Sequence, residues 1–351
     1  MIGYVLNGEH EEIPYAELMA LLEIFNYNGS VERLKRYIIT EDSPAKKIVK
    51  RSGYIDEGHR IVFKYDLEEK NVNLVDKVVD DFIKSFEEFI KDRDYPDIDE
   101  SKSYAVRVLK LHKDEFTKSI NSLKIERELG GIIKLKTNAK VNLTKPDVLV
   151  RVVILENNFF VSNVLEMRDR EYFQKNRPHL RKYFHPGCML PKLARTMVNL
   201  ARVKEGDVVL DPFCGTGGFL IEAGLIGAKL IGCDIDWRMA SGTLINLEEY
   251  NLLDNVIKVK KLDAKYVKEF LNELNIEKVD AVVTDPPYGI STAKKGEIEK
   301  ILKMLPEVIK ENGYFVFAYP KKVELDMELE GLYKVYIHKG LIRHIHVYKK
   351  V

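Results

Sequence analysis

From Pro186 to the end of the chain, short apolar runs alternate with stretches of helical spacing, and this alternation restricts the fold more than any other feature. The runs Val208–Leu210, Lys229–Cys233, Val256–Val259, Val279–Val283 and Tyr314–Ala318 are predicted strands. Helices are predicted at Leu190–Arg202 and near Gly217–Ile226, Met239–Tyr250, Val267–Leu274 and Glu297–Ile309. Strands joined through helices run parallel in one sheet covered on both faces, the doubly wound arrangement. The end differs: Tyr333–His338 and Ile342–Tyr348 are separated only by Lys339-Gly340-Leu341 and read as an antiparallel hairpin.

The fourth strand runs into Thr284-Asp-Pro-Pro-Tyr-Gly289. Two consecutive prolines lack N–H groups and fix φ, so neither helix nor sheet pairing continues through them. Asp285 is therefore expected in a stiff loop at the mouth of a buried strand, with the Tyr288 ring three residues on. An isolated Pro-Pro is more often a turn that merely ends a strand. With Asp before it and Tyr-Gly after, a rigid acceptor beside a flat face suits a planar, amine-bearing ring.

The first strand is followed by Asp211-Pro-Phe-Cys-Gly-Thr-Gly-Gly218. Gly215, Gly217 and Gly218 permit close backbone approach at the carboxyl edge of the sheet, where open α/β folds bind ligands. No Gly-Lys-Ser/Thr follows, and Leu220 stands where a dinucleotide fingerprint has its third glycine. An acid leading this loop repels a pyrophosphate but suits an ammonium group, which S-adenosylmethionine carries. The second strand ends in Gly232-Cys-Asp234-Ile-Asp236, where an acid can accept from both ribose hydroxyls. Asp234 is favoured by position, with Asp236 second. Asp263-Ala264 follows the third strand, within reach of an adenine amino group. Each acid alone is more often a helix cap or turn residue; four at successive strand ends make that explanation hard to sustain.

The remaining chain is long enough for at least one further domain. Residues 1–65 read as a small β-α-β-α-β unit, with a helix at Pro14–Phe25 and strands at Leu34–Ile39 and Ile61–Tyr65. An amphipathic helix, Val72–Lys91, precedes a strand at Tyr104–Leu109, a helix at Asp114–Glu128 ended by Gly130-Gly131, and a hairpin of Val148–Leu155 with Phe159–Leu165. Net charge is only +1, but residues 101–155 hold twelve bases against five acids, a local surplus that suits a polyanion. The three cysteines, Cys188, Cys214 and Cys233, form no C-x-x-C pair and have no histidine cluster nearby, so no metal site is expected. No basic leader or long apolar span is evident, and the cytoplasm is the expected compartment.

Taken together, D-P-F-C-G-T-G-G, G-C-D-I-D, K-L-D-A and T-D-P-P-Y-G resemble the motif series of class I methyltransferases that act on exocyclic amines. A parallel sheet closed by an antiparallel hairpin is one usual shape of such domains. His185-Pro-Gly-Cys-Met-Leu-Pro-Lys-Leu-Ala-Arg195 resembles the segment before the first motif in tRNA guanine-N2 methyltransferases. The basic region with Val141-Asn-Leu-Thr-Lys-Pro-Asp147 resembles the RNA-binding THUMP domain, and the first 65 residues fit the ferredoxin-like domain that accompanies it. The whole pattern is similar to the archaeal tRNA guanosine-10 N2-methyltransferases.

That resemblance implies a ferredoxin-like domain at 1–66, a THUMP domain at 67–165, a linker at 166–184 and a class I S-adenosylmethionine-dependent domain at 185–351. It implies that Pro186, Asp211, Phe213, Gly215, Gly217, Asp234, Ile235, Asp263 and Ala264 bind the cofactor. Asp285 and the Pro286 carbonyl would orient the target amine while Tyr288 stacks on the base. The THUMP and N-terminal parts would grip the tRNA acceptor end. Alternatives are guanine N2 at another tRNA or ribosomal RNA position, adenine N6, or a non-catalytic RNA-binding protein. A cytosine enzyme with a cysteine nucleophile is disfavoured because no Pro-Cys dipeptide occurs.

Overall fold

The computed structural model describes the chain apart from residues 68–69, 288–291 and 339–340. It divides into two compact units, one of residues 1–8, 28–51 and 55–168 and one of residues 9–27, 52–54 and 169–351.

The first unit is built on one eight-stranded sheet. Its strands are β1 (Ile2–Leu6), β2 (Val31–Leu34), β3 (Tyr37–Thr40), β4 (Ile55–Asp66), β5 (Ser103–Lys110), β6 (Lys140–Val141), β7 (Val148–Leu155) and β8 (Asn158–Met167). Their order is β2-β3-β1-β4-β8-β7-β5-β6. The long antiparallel pair β4–β8 hydrogen-bonds Glu57 to Asp66 against Asn158 to Met167. Segments 1–66 and 67–165, expected as separate domains, thus share one continuous sheet. The helix Val75–Lys91 buries Val79, Phe82, Phe86 and Ile90 in the core, with Phe82 edge-on to Phe159 at 5.0 Å.

Two sequence-based expectations fail here. Leu34–Ile39 is no single strand: Lys35, at φ +51°, turns the chain between β2 and β3, which pair antiparallel. Nor do Gly130 and Gly131 end a helix. The chain forms a short helix, Glu115–Ser119, and then Ser122–Thr137, which runs through both glycines and stops at left-handed Asn138. Each interior glycine costs roughly 1 kcal/mol relative to alanine. The buried face of Ile125, Leu129 and Ile133 outweighs that cost.

The second unit carries a seven-stranded sheet. Its strands are β9 (Val208–Asp211), β10 (Lys229–Asp234), β11 (Val256–Lys261), β12 (Val279–Thr284), β13 (Ile309–Tyr319), β14 (Glu328–His338) and β15 (Leu341–Lys349). The order is β11-β10-β9-β12-β13-β15-β14. The first five are parallel, and β15 and β14 close the sheet antiparallel, as expected from the alternation. The central strands are apolar because helices cover both faces; Val209, Leu210, Ile231, Val282, Phe315 and Val316 are fully buried.

One helix sits outside its expected domain. Ile13–Ile24, from the first 66 residues, belongs to the second unit. Its Glu17 is fully buried, accepting from the Gly53 and Tyr54 amides at 2.7 Å each, from Thr196 Oγ1 at 3.0 Å and from Asn199 Nδ2 at 2.8 Å. Four donors offset the desolvation of one carboxylate. The sequence signal was an acid on the apolar face of a helix, which helical spacing alone cannot assign a partner. Among the described residues no helix is long and apolar enough to cross a membrane.

Candidate active site

Four carboxylates stand at the carboxyl ends of adjacent strands: Asp211 closes β9, Asp234 closes β10, Asp263 follows β11 and Asp285 follows β12. All four line one cavity of about 800 Å³. Pro186, Phe213, Gly215, Ile235, Ala264 and Pro286 share its wall. Gly217 is not in the wall. It lies at φ +84° where the loop enters the helix Gly218–Gly224, and an added Cβ would come within 2.9 Å of Thr243 Cγ2, so its place is in the turn. Tyr288 lies outside the described residues.

The acids differ sharply in what holds them. Asp211 is 1% exposed; its Oδ1 accepts from Thr284 Oγ1 at 2.6 Å and from the Phe213 amide at 3.2 Å. Its Oδ2 is buried with no hydrogen-bond partner among the described residues. Burial, reinforced by the negative charges of Asp234 and Asp285, pushes the Asp211 carboxyl up to about 7. Asp234 accepts from the Gly215 amide at 3.0 Å and the Asp236 amide at 2.9 Å, so it braces the glycine loop; burial raises its pKa. Asp236 does what isolated acids usually do. It caps the helix Trp237–Glu249 and is held by Arg238 at 2.6 Å, which keeps its carboxyl down at about 2. Asp236 is absent from the cavity wall, which favours Asp234 of the two. Asp263 also caps a turn, accepting from the Lys265 amide at 3.2 Å, yet it lines the cavity.

Two interactions at the site were not expected from the sequence. Thr284, the last residue of β12, is fully buried and ties Asp211 to the strand that delivers Asp285. Its place inside the Thr-Asp-Pro-Pro motif was the available signal. Arg343 on β15 places Nη2 3.3 Å from Asp285 Oδ2 and shares the cavity wall. Nothing in its local pattern marks it, because β15 and β12 are far apart in the chain. Cys188 and Cys214 also line the cavity, Cys188 with its Sγ 3.0 Å from Thr216 Oγ1, and Cys214 and Cys233 are buried, as expected.

Such an arrangement, a glycine loop with a buried carboxylate oxygen unmatched among the described residues and an acid at the neighbouring strand end, can hold a cationic ligand beside a hydrogen-bond acceptor. Residues 178–340 match the family model described as RMKL-like, methyltransferase domain, and residues 35–244 match one described as DNA methylase. The second match stops short of Asp285. Among solved structures, the chain is similar to TrmN from Thermus thermophilus, with a TM-score of 0.57 at 18% identity over 100% of this chain and 99% of that one. This likeness establishes the class I methyltransferase fold. Over 100% of both chains it is 90% identical to a tRNA (guanine(10)-N2)-dimethyltransferase of Methanocaldococcus jannaschii. It is 37% identical to the enzyme of that name from Methanothermobacter thermautotrophicus, over 99% of this chain and 98% of the relative. With strand order, cavity and full-length similarity in agreement, the chain belongs to the tRNA (guanine(10)-N2)-dimethyltransferase family.

Proposed function

We infer that this enzyme methylates the exocyclic N2 of guanosine 10 in tRNA, giving N2-methyl- and then N2,N2-dimethylguanosine. The convergence of four strand-end acids on one cavity carries the chemical side of this reading. The residues fit S-adenosylmethionine. The orphaned Asp211 Oδ2 suits its ammonium, Asp234 the ribose hydroxyls and Asp263 with Ala264 the adenine amine, between Phe213, Ile235 and Pro186. When bound, this cofactor supplies an electrophilic methyl group on sulfur.

The protein's part is orientation. A guanine N2 lone pair is delocalised into the ring and nucleophilically weak. Asp285 and the Pro286 carbonyl each accept one N–H, which draws the nitrogen towards sp³ and aims its lone pair. A carboxylate with an ordinary pKa near 4 is a weak base. Proton loss therefore accompanies or follows methyl transfer, and Asp285 acts mainly by position. Tyr288 is assigned the stacking face for the flipped base, worth roughly 1–3 kcal/mol.

The first unit is assigned the THUMP role of gripping the tRNA acceptor end, in the cytoplasm. The basic surplus in residues 101–155 supports this, with Lys118, Lys134, Lys140 and Lys145 exposed. Mass spectrometry of an unmodified tRNA transcript, incubated with enzyme and labelled cofactor, tests the activity. Dimethylguanosine at position 10 is expected. Methyl on adenine or on another guanosine would overturn the assignment.

A further inference from the structure

We propose that Arg343 reads the O6 of the target guanine and thereby makes the site selective for guanine over adenine; this rests on the guanine-N2 reading above. The donors N2–H and N1–H and the acceptor O6 run in sequence along one edge of guanine. A carboxylate that accepts from N2–H and N1–H has O6 beside its second oxygen. Asp285 is the carboxylate, and Arg343 Nη2 stands 3.3 Å from its Oδ2. Strand pairing puts Arg343 there: its neighbour His344 is in register with Tyr319, the last residue of β13, so Arg343 lies at the same carboxyl edge of the sheet as the acids.

The separation is longer than the roughly 2.7–2.9 Å of a tight charge-assisted bond. A guanidinium carries five N–H donors in a rigid fork, so it can face a carboxylate and a carbonyl oxygen together. Both side chains are mostly buried, at 12% and 14% exposure, so the pair keeps either charge from standing alone before the base arrives. Adenine presents an amine where guanine has O6 and has no N1–H. Against Arg343 it sets donor against donor, and against Asp285 acceptor against acceptor. A site built this way rejects the wrong base by leaving its own polar groups unmatched.

The test is a cycle across protein and base: the full-length enzyme and its Arg343→Met variant, each on tRNA transcripts bearing guanosine or 6-thioguanosine at the target position. Sulfur keeps N2–H and N1–H but accepts hydrogen bonds poorly. Losing a charged hydrogen bond should cost the native enzyme about ten- to hundredfold in kcat/KM on the thio substrate. The same loss is expected for Arg343→Met on guanosine, with little further penalty from sulfur. Arg343→Lys, which keeps the charge but not the fork, should recover part of the activity, and cofactor affinity verifies that each variant is folded. Equal sulfur penalties in native enzyme and variant, or no penalty in the native enzyme, would overturn the role of Arg343. Absence of methyl transfer by the native enzyme to guanosine would instead sink the underlying functional reading.

Discussion

Each unit holds a buried cluster of polar side chains, and the two are put together in opposite ways. In the eight-stranded sheet Glu57 receives Arg151 Nε at 2.9 Å and Nη2 at 2.6 Å, and His59 Nε2 at 2.9 Å. Burial lowers the His59 pKa, and a neutral ring donating to Glu57 leaves Nδ1 to accept from the Tyr37 hydroxyl at 3.3 Å. Burial alone would raise Glu57, but the His59 and Arg151 hydrogen bonds carry it down to about 2. Around the cavity, Asp211 sits near the like charges of Asp234 and Asp285 with one oxygen unmatched among the described residues, and burial carries it up to about 7. A cluster that pairs its charges internally is complete as it stands, whereas one with an unmatched carboxylate oxygen is left for a cationic ligand to complete, as the proposed function requires of Asp211.

The largest effect expected from this difference is at Asp285. Asp285→Ala should lower single-turnover methyl transfer at least about a hundredfold while leaving calorimetric cofactor affinity near normal. Near-native turnover would remove Asp285 from the chemistry. In the paired cluster, Arg151→Met leaves Glu57 buried without its main counter-charge and should destabilise the sheet by roughly 3–5 kcal/mol. Hydrogen exchange of the β4, β7 and β8 amides reads this directly, and unchanged protection would show that the pairing is not what holds them.

The pH responses should oppose one another. Glu57, depressed from 4.5 to about 2, contributes stability that is present above about 4.5 and lost as pH falls through about 2. Asp211, raised from 3.8 to about 7, contributes stability that is full below about 3.8 and lost as pH rises through about 7. A cationic ligand favours ionised Asp211, so S-adenosylmethionine affinity should rise with pH through about 7. Asp211→Asn should weaken binding about tenfold or more and flatten that rise. A titration with the same slope in native enzyme and variant would place the ammonium elsewhere. The smallest effects belong to the exposed lysines. Replacing Lys134, Lys140 or Lys145 by alanine should reduce the salt dependence of tRNA binding by roughly 0.7–0.9 in log–log slope for each phosphate no longer neutralised. An unchanged slope in the triple variant would detach that surface from tRNA. Point substitution is the cleaner route to this surface, because deleting residues 1–165 also strips Glu17 and its helix from the catalytic unit.

Legibility followed the range of the interactions. Strands β9 to β13 and their helices were readable because burial on both faces writes a local, periodic record. Asp211, Asp234, Asp263 and Asp285 were readable because each follows or ends such a strand directly. Gly130-Gly131 misled because a local breaker signal was overridden by the buried face of its helix. Leu34–Ile39 misled because an apolar run says nothing about a turn inside it.

The sequence by itself determined the parallel sheet, its closing hairpin and the order of the strand-end acids, since all of these arise from residues adjacent in the chain. Only the tertiary structure put Asp234 and not Asp236 in the cavity wall, joined residues 1–66 to 67–165 in one sheet, moved Ile13–Ile24 to the second unit and set Arg343 against Asp285. Those outcomes depend on which strand edges pair and which charges meet once the chain has folded. Such pairings are chosen by hydrogen bonding and desolvation between distant segments, and leave no periodic mark on either one.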